Sequence, residues 1–116
     1  MKKDEAYNKK FMAFAIRMVK LKNYLNEQRH EYNMADQVQR SGTAIGANHR
    51  EATYSESSSD FVHKLQIAQK ECNETMYWLK VLYGSELISQ ERYEELLADV
   101  RELYKILAAS LKTLKS

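Results

Sequence analysis

Carboxylates, imidazoles and a single thiol are the side chains in this sequence from which catalysis or metal binding would have to be built. Glu27 and His30 form a Glu-x-x-His step. A di-iron bundle needs that step on two helices, with an inward Glu from each of two others. Here it occurs once, in a predicted connection between helices. Glu71 and Glu74 have no His near them on their own helix, and His30, His49 and His63 show no recurring ligand spacing. The sequence therefore predicts no metal site and no cofactor. Cys72 continues an apolar helical stripe and lacks an activating basic neighbour, so it is expected to be a small hydrophobe and not a nucleophile. The glycine-containing run "SGTAIGA" follows no strand and has no Lys after its last glycine, so it is not a phosphate loop. No catalytic residue is expected, and the chain reads as a non-enzyme.

Cations are the other candidate chemistry. Lys3, Lys10 and Arg17 are seven residues apart and form a row along one edge of a helix, with Lys2, Lys9, Lys20 and Lys22 on nearby faces. Lys3, Lys10, Arg17, Lys20 and Lys22 are thus the candidate nucleic-acid-binding residues, since such a row either meets phosphates or is a solvated face. Tyr7, Tyr24, Tyr32 and Tyr54 either add base stacking or fill a core edge or subunit contact. Residues 1–50 hold ten Lys/Arg against five Asp/Glu, whereas residues 51–116 hold eight against eleven. Such asymmetry points to an anionic partner or to self-complementary assembly, and ordinary solvated faces are the alternative.

The elements that must carry these residues are helices. A chain of 116 residues with no proline, three glycines, 44% apolar and 29% charged residues reads as one all-α domain over residues 1–116. Tyr7, Phe11, Phe14, Met18, Leu21 and Leu25 alternate by four and three in a first helix, roughly 4–28, with Asp4 as N-cap. Asn33, with Asp36 three residues on, is expected to cap a second helix to about Tyr54, whose inward stripe is Met34, Val38, Ser41, Ile45, Asn48 and Ala52. Ser57, with Asp60, opens a third helix carrying Phe61, Leu65, Ala68, Cys72, Thr75, Leu79 and Leu82, with Ile67, Trp78 and Val81 on a second edge. Gly84 is expected as its left-handed C-cap and Ser89 as the next N-cap. The last helix carries Leu96, Val100, Leu103, Leu107, Leu111 and Leu114. Short loops make neighbours antiparallel, so the expected fold is an up-down-up-down four-helix bundle. The lone cysteine and the charges interrupting residues 11–25 predict a cytoplasmic chain with no membrane span.

The second helix poses its own question. Gly42 and Gly46 together cost roughly 1–2 kcal/mol of helix preference. With Ser41, Ala44 and Ala47 they make a smooth strip on which another backbone can come close. That strip either tightens the core of one chain or also forms a subunit contact. Ser41 or Thr43 is expected to bond back one turn. Asn48 needs partners for its amide, with Glu74 or the tyrosines of the third helix as candidates, and Glu74 is expected to accept from Asn48 or Arg50.

The pattern Thr43 to Ala52, "TAIGANHREA", and the pattern Glu74 to Leu79, "ETMYWL", together resemble the bacterial 23S rRNA intervening-sequence protein (S23) family. The resemblance spans nearly the whole chain and is strongest over residues 32–83; His49 stands where members often carry an apolar or aromatic residue. It implies an antiparallel four-helix bundle assembling into a ring-like homopentamer. Some members are encoded in intervening sequences of bacterial rRNA genes, and most have no established activity. A more distant likeness to accessory proteins of diversity-generating retroelements implies RNA or DNA binding and a nucleic-acid enzyme, such as a reverse transcriptase, as partner.

The expected function is therefore a homo-oligomeric binding or scaffolding module for nucleic acid or a nucleic-acid-associated protein. Ser41, Gly42, Ile45, Gly46, Asn48, Glu74 and Trp78 are its expected helix-packing or subunit contacts. The alternatives are a purely structural interaction protein without nucleic acid, or a metal-dependent enzyme in the bundle core.

Overall fold

Apolar stripes that alternate by three and four become the buried seams of four helices. The structure is a computed structural model describing the backbone of residues 2–115 and the side chains of residues 5–113. In chain order the helices are α1 (Lys2–Arg29), α2 (Asn33–Thr53), α3 (Ser58–Gly84) and α4 (Gln90–Lys115). The connections between them are too short for a parallel return, so each helix runs antiparallel to the one before it. α1 packs on α2 and α4, and α3 on α2 and α4, which closes a bundle with dimensions 45 × 22 × 22 Å. The described residues contain no strand.

The core is where the periodicity places it. Phe11, Phe14, Met18, Leu21 and Leu25 of α1 are buried against Val38 and Ile45 of α2, Leu65, Ala68, Cys72, Leu79 and Leu82 of α3, and Leu96, Val100, Leu103, Leu107 and Leu111 of α4. Tyr7, Met34, Phe61 and Trp78 are partly buried at its edges. Ile88 and Ile106 are also buried. The Leu114 and Asp4 side chains lie outside the described residues.

The helix ends show how local chemistry sets the turns. Ser57 caps α3 by accepting from the Asp60 amide at 3.0 Å, and Ser89 caps α4 by accepting from the Arg92 amide at 3.1 Å. Asn33 does not cap α2. It is the first helical residue, and the Glu31 carboxylate accepts from the Met34 amide at 2.7 Å in its place. Gly84 is not the left-handed residue after α3 either, because no glycine here has positive φ. Glu86 takes that role at φ 63°, with the Leu87 amide bonded to the Leu82 carbonyl at 2.9 Å and the Glu86 amide to that of Tyr83 at 3.0 Å. The motif is set by Leu87 packing on the core three residues after Gly84, so the left-handed position falls at 86 whatever residue stands there. A side chain in that conformation costs about 1–2 kcal/mol. Glu86→Gly is therefore expected to raise the unfolding free energy by about 1 kcal/mol, read as a higher urea midpoint at unchanged slope.

Candidate functional site

The two glycines of α2 are what let α1 come close. A β-carbon on Gly42 would lie 2.3 Å from Met18 Cγ and 2.6 Å from its Sδ, and one on Gly46 would lie 3.3 Å from Phe11 Cβ and 3.5 Å from the Phe11 carbonyl oxygen. Met18 thus occupies the volume that a side chain at 42 would claim, and the α1 backbone rides over Gly46. Thr43 Oγ1 donates to the Gln39 carbonyl at 2.8 Å, the expected bond back along the helix.

On its other side the same strip meets α3. Among the described residues Ser41 and Thr75 are the fully buried polar ones, and their hydroxyls lie 2.9 Å apart. Thr75 Oγ1 also lies 2.7 Å from the Glu71 carbonyl. Each hydroxyl has one proton. Thr75 donates to Glu71 and Ser41 donates to Thr75, which satisfies both groups across the α2–α3 seam. Thr75→Val keeps the shape but leaves Ser41 only the Val38 carbonyl at 3.4 Å. It is expected to cost about 1–2 kcal/mol in urea unfolding, and the double variant with Ser41→Ala to cost less than the two single changes together.

The polar partners along this seam differ from those expected. Asn48 is half-buried and donates from Nδ2 to the Ala44 carbonyl at 2.9 Å on its own helix, not to Glu74. Glu74 accepts from Arg40 Nη2, not from Arg50, and Arg40 Nη1 stands 3.6 Å from Glu71. Burial raises the Glu71 carboxyl above its ordinary range, Arg40 lowers it, and Glu74 raises it. Ile45 is wholly buried. Trp78 packs at the core edge with Tyr77 edge-on at 5.2 Å, and its indole Nε1 is buried with no hydrogen-bond partner among the described residues. Cys72 is wholly buried and its thiol is pushed up to about 12 by burial and then by Glu71, so it stays protonated and packs as a hydrophobe.

Above the glycine strip, α1 and α2 leave an open apolar groove of about 720 Å³. Phe11, Ala15, Gly46 and Ala47 line it together with Met12 and Ile16, and among the described residues Lys9 and Arg50 are the charged ones on it. The Phe11 and His49 rings stack within it, with centroids 4.1 Å apart and planes at 14°. Met12 is 54% exposed, Ile16 48% and Val19 40%. These three form a second stripe at spacings of four and three, on the side of α1 away from its core stripe. The spacing is legible in the sequence, but Arg17, Lys20 and Lys22 interleave with it, so the sequence alone reads that side of α1 as a solvated face.

The cation row faces α4. Lys10 pairs with Glu102 at 2.5 Å and Arg17 with Asp99, while Lys22 turns to Asp36 of α2 at 2.9 Å. Lys20 is exposed and lines a small cleft with Arg17, Arg92 and Glu95. The side chain of Lys3 lies outside the described residues. Among the described residues no three His, Cys, Asp or Glu side chains gather as metal ligands, and no helix is long and apolar enough to cross a membrane. His30 ends α1 in a left-handed turn at φ 52°.

Residues 3–109 match the family described as 23S rRNA-intervening sequence protein. Among solved structures, the chain is similar to a protein of unknown function of the S23 ribosomal protein family from Bacteroides thetaiotaomicron. The TM-score is 0.90 and the identity 44%, covering 91% of this chain and 98% of that one. No curated protein matches.

Proposed function

From the premise that this chain belongs to the 23S rRNA-intervening sequence protein family, we propose that it is a non-enzymatic homo-oligomer whose subunits meet over the α1–α2 groove. The assembly serves as a binding or scaffolding module for nucleic acid or a nucleic-acid-associated protein. The observation that carries this reading is the exposed row Met12, Ile16 and Val19 beside a groove floored by glycine and alanine. A contiguous apolar patch of this kind marks an interaction surface.

Charge favours a second copy as the occupant. The groove carries Lys9 and Arg50, while Glu86, Glu91, Glu94 and Glu95 are exposed around the turn from α3 into α4. Two different patches on one chain join head to tail, and head-to-tail contacts form a ring when the rotation between copies closes, in keeping with the pentamer that the family resemblance implies. Light scattering coupled to sizing chromatography tests this: a closed species of about five chains is expected, and a stable monomer at micromolar concentration overturns it.

Nucleic acid is the finer part of the proposal. Lys10 and Arg17 already face Glu102 and Asp99, but exposed ion pairs are weak enough for phosphates to compete with them. Binding to structured RNA or duplex DNA is expected to fall steeply with salt and to weaken in Lys10→Glu and Arg17→Glu. No binding at low salt leaves a purely structural interaction protein.

A further inference from the structure

Three cations from two helices meet in one cleft. Arg17 and Lys20 of α1 and Arg92 of α4 line a cleft of about 200 Å³ between those helices, floored by the buried Leu21 and Leu96. Lys10, Arg17 and Lys22 each face a carboxylate, whereas Lys20 and the Arg92 guanidinium have no ion pair or side-chain hydrogen bond among the described residues. The guanidinium lies instead over the Tyr24 ring, 4.3 Å from its centroid. Among the described residues Glu95 is the one acid lining the cleft; Glu86, Glu91 and Glu94 of the same turn do not line it. We propose that this cleft seats a backbone phosphodiester of a nucleic acid, with Arg92, Lys20 and Arg17 as its donors. This inference rests on the nucleic-acid reading above and deepens it, naming where one phosphate sits and adding Arg92 of α4 to a surface drawn so far from α1 alone.

Charge and preorganisation select the ligand. Arg17, Lys20 and Arg92, set against Glu95 and the Asp99 carboxylate that Arg17 holds, leave one net positive charge, which matches the single negative charge of a phosphodiester. Stacking on Tyr24 fixes the planar Arg92 group before a ligand arrives, so less side-chain freedom is lost on binding. Its free N–H groups then suit paired phosphate oxygens. Lys20 has no ion pair to break, and the exposed Arg17–Asp99 pair is weak enough to yield to a phosphate. Leu21 and Leu96 keep water from one side of the contact, which strengthens it. Glu95 opposes the ligand, so its removal is expected to help.

Fluorescence anisotropy with a labelled RNA hairpin, read across a salt series on the full chain, tests this in the wild type, Lys20→Gln, Arg92→Gln, Glu95→Gln and Lys80→Gln. Lys20, Arg92 and Glu95 are exposed, so each variant keeps the fold, which circular dichroism checks. Lys80 is an exposed lysine of α3 that does not line the cleft and carries the same charge change. Lys20→Gln and Arg92→Gln are each expected to weaken binding by about tenfold and to flatten the plot of log affinity against log salt by about one. Glu95→Gln is expected to tighten binding, and Lys80→Gln to bind like wild type. Inorganic phosphate is expected to displace the RNA better than chloride does at equal ionic strength, and to lose that advantage in Arg92→Gln. Wild-type affinity in both Lys20→Gln and Arg92→Gln, an equal loss in Lys80→Gln, or weaker binding by Glu95→Gln overturns the cleft while leaving nucleic-acid binding intact. Polyglutamate that binds as tightly as the RNA and suffers from the same variants makes an acidic protein the occupant and overturns the phosphodiester. A wild type that binds no RNA at low salt overturns the cleft and the nucleic-acid reading together.

Discussion

Gly42→Ala is expected to lower the unfolding free energy by about 2 kcal/mol, although alanine is the better helix former by about 1 kcal/mol. The added methyl would meet Met18 Cγ at 2.3 Å and Sδ at 2.6 Å. Met18 is wholly buried, so it has no solvent to swing into and must strain or push α1 away. The other two glycines are expected to tolerate alanine. At Gly46 the nearest atom is Phe11 Cβ at 3.3 Å, a contact relieved by a shift of a few tenths of an ångström. The helix gain then offsets the strain, leaving Gly46→Ala within about 0.5 kcal/mol of wild type. At Gly84 nothing lies within 4 Å and φ is not positive, so Gly84→Ala is expected to stabilise by about 0.5 kcal/mol. Urea unfolding at one fixed protein concentration ranks all three, since oligomerisation makes stability concentration-dependent. The decisive measurement is the cycle with Met18→Ala. If Met18 is the obstacle, the double variant loses at least about 1 kcal/mol less than the two single changes combined, because the alanine methyl at 42 enters the cavity left at 18. Strict additivity rejects the close approach as the reason for glycine.

Those three glycines also show where sequence reading reaches and where it stops. The stripe Phe11, Phe14, Met18, Leu21, Leu25 was legible because burial repeats with the helical period, and any partner that covers it must cover all of it. Gly42 and Gly46 were legible as a close approach because nothing on their own helix offsets their cost. Which chain element makes that approach depends on the register of α1 against α2, and no local pattern encodes register. The same limit explains the carboxylate at 74. Its need for a partner could be read, but Arg40 was found there because it stands opposite Glu71 and Glu74 across the α2–α3 seam. Asn48 needed no third-helix partner once its amide turned back to Ala44. Gly84 was assigned the left-handed turn from its residue type, yet the turn is placed by Leu87, which packs on the core and whose amide bonds back to the Leu82 carbonyl, and Glu86 bears the strain. Residue preferences speak for the helix; tertiary packing decides its last turn.

Ile16→Glu is expected to weaken assembly by about 100-fold or more while leaving the helical fold of the single chain intact. Ile16 is 48% exposed in the free chain and is not part of the buried core, so the fold does not depend on it. In the assembly, losing the burial of its exposed half removes about 1 kcal/mol of apolar transfer. The carboxylate adds a larger opposing effect, because a charge enclosed without a partner costs several kcal/mol unless it is neutralised. The nearest groove cation on its own helix, Lys9, is seven residues away, about 10 Å along the axis, and lies at the opposite end of the groove. A combined loss of about 3 kcal/mol per contact corresponds to a dissociation constant raised by a factor of about 100. Ile16→Leu, which keeps the apolar volume, is expected to assemble like wild type. Sizing chromatography with light scattering reads both, and circular dichroism confirms that the monomer is still helical. An Ile16→Glu chain that assembles as tightly as wild type shows that subunits meet elsewhere, and the open groove between α1 and α2 then has no role in joining them.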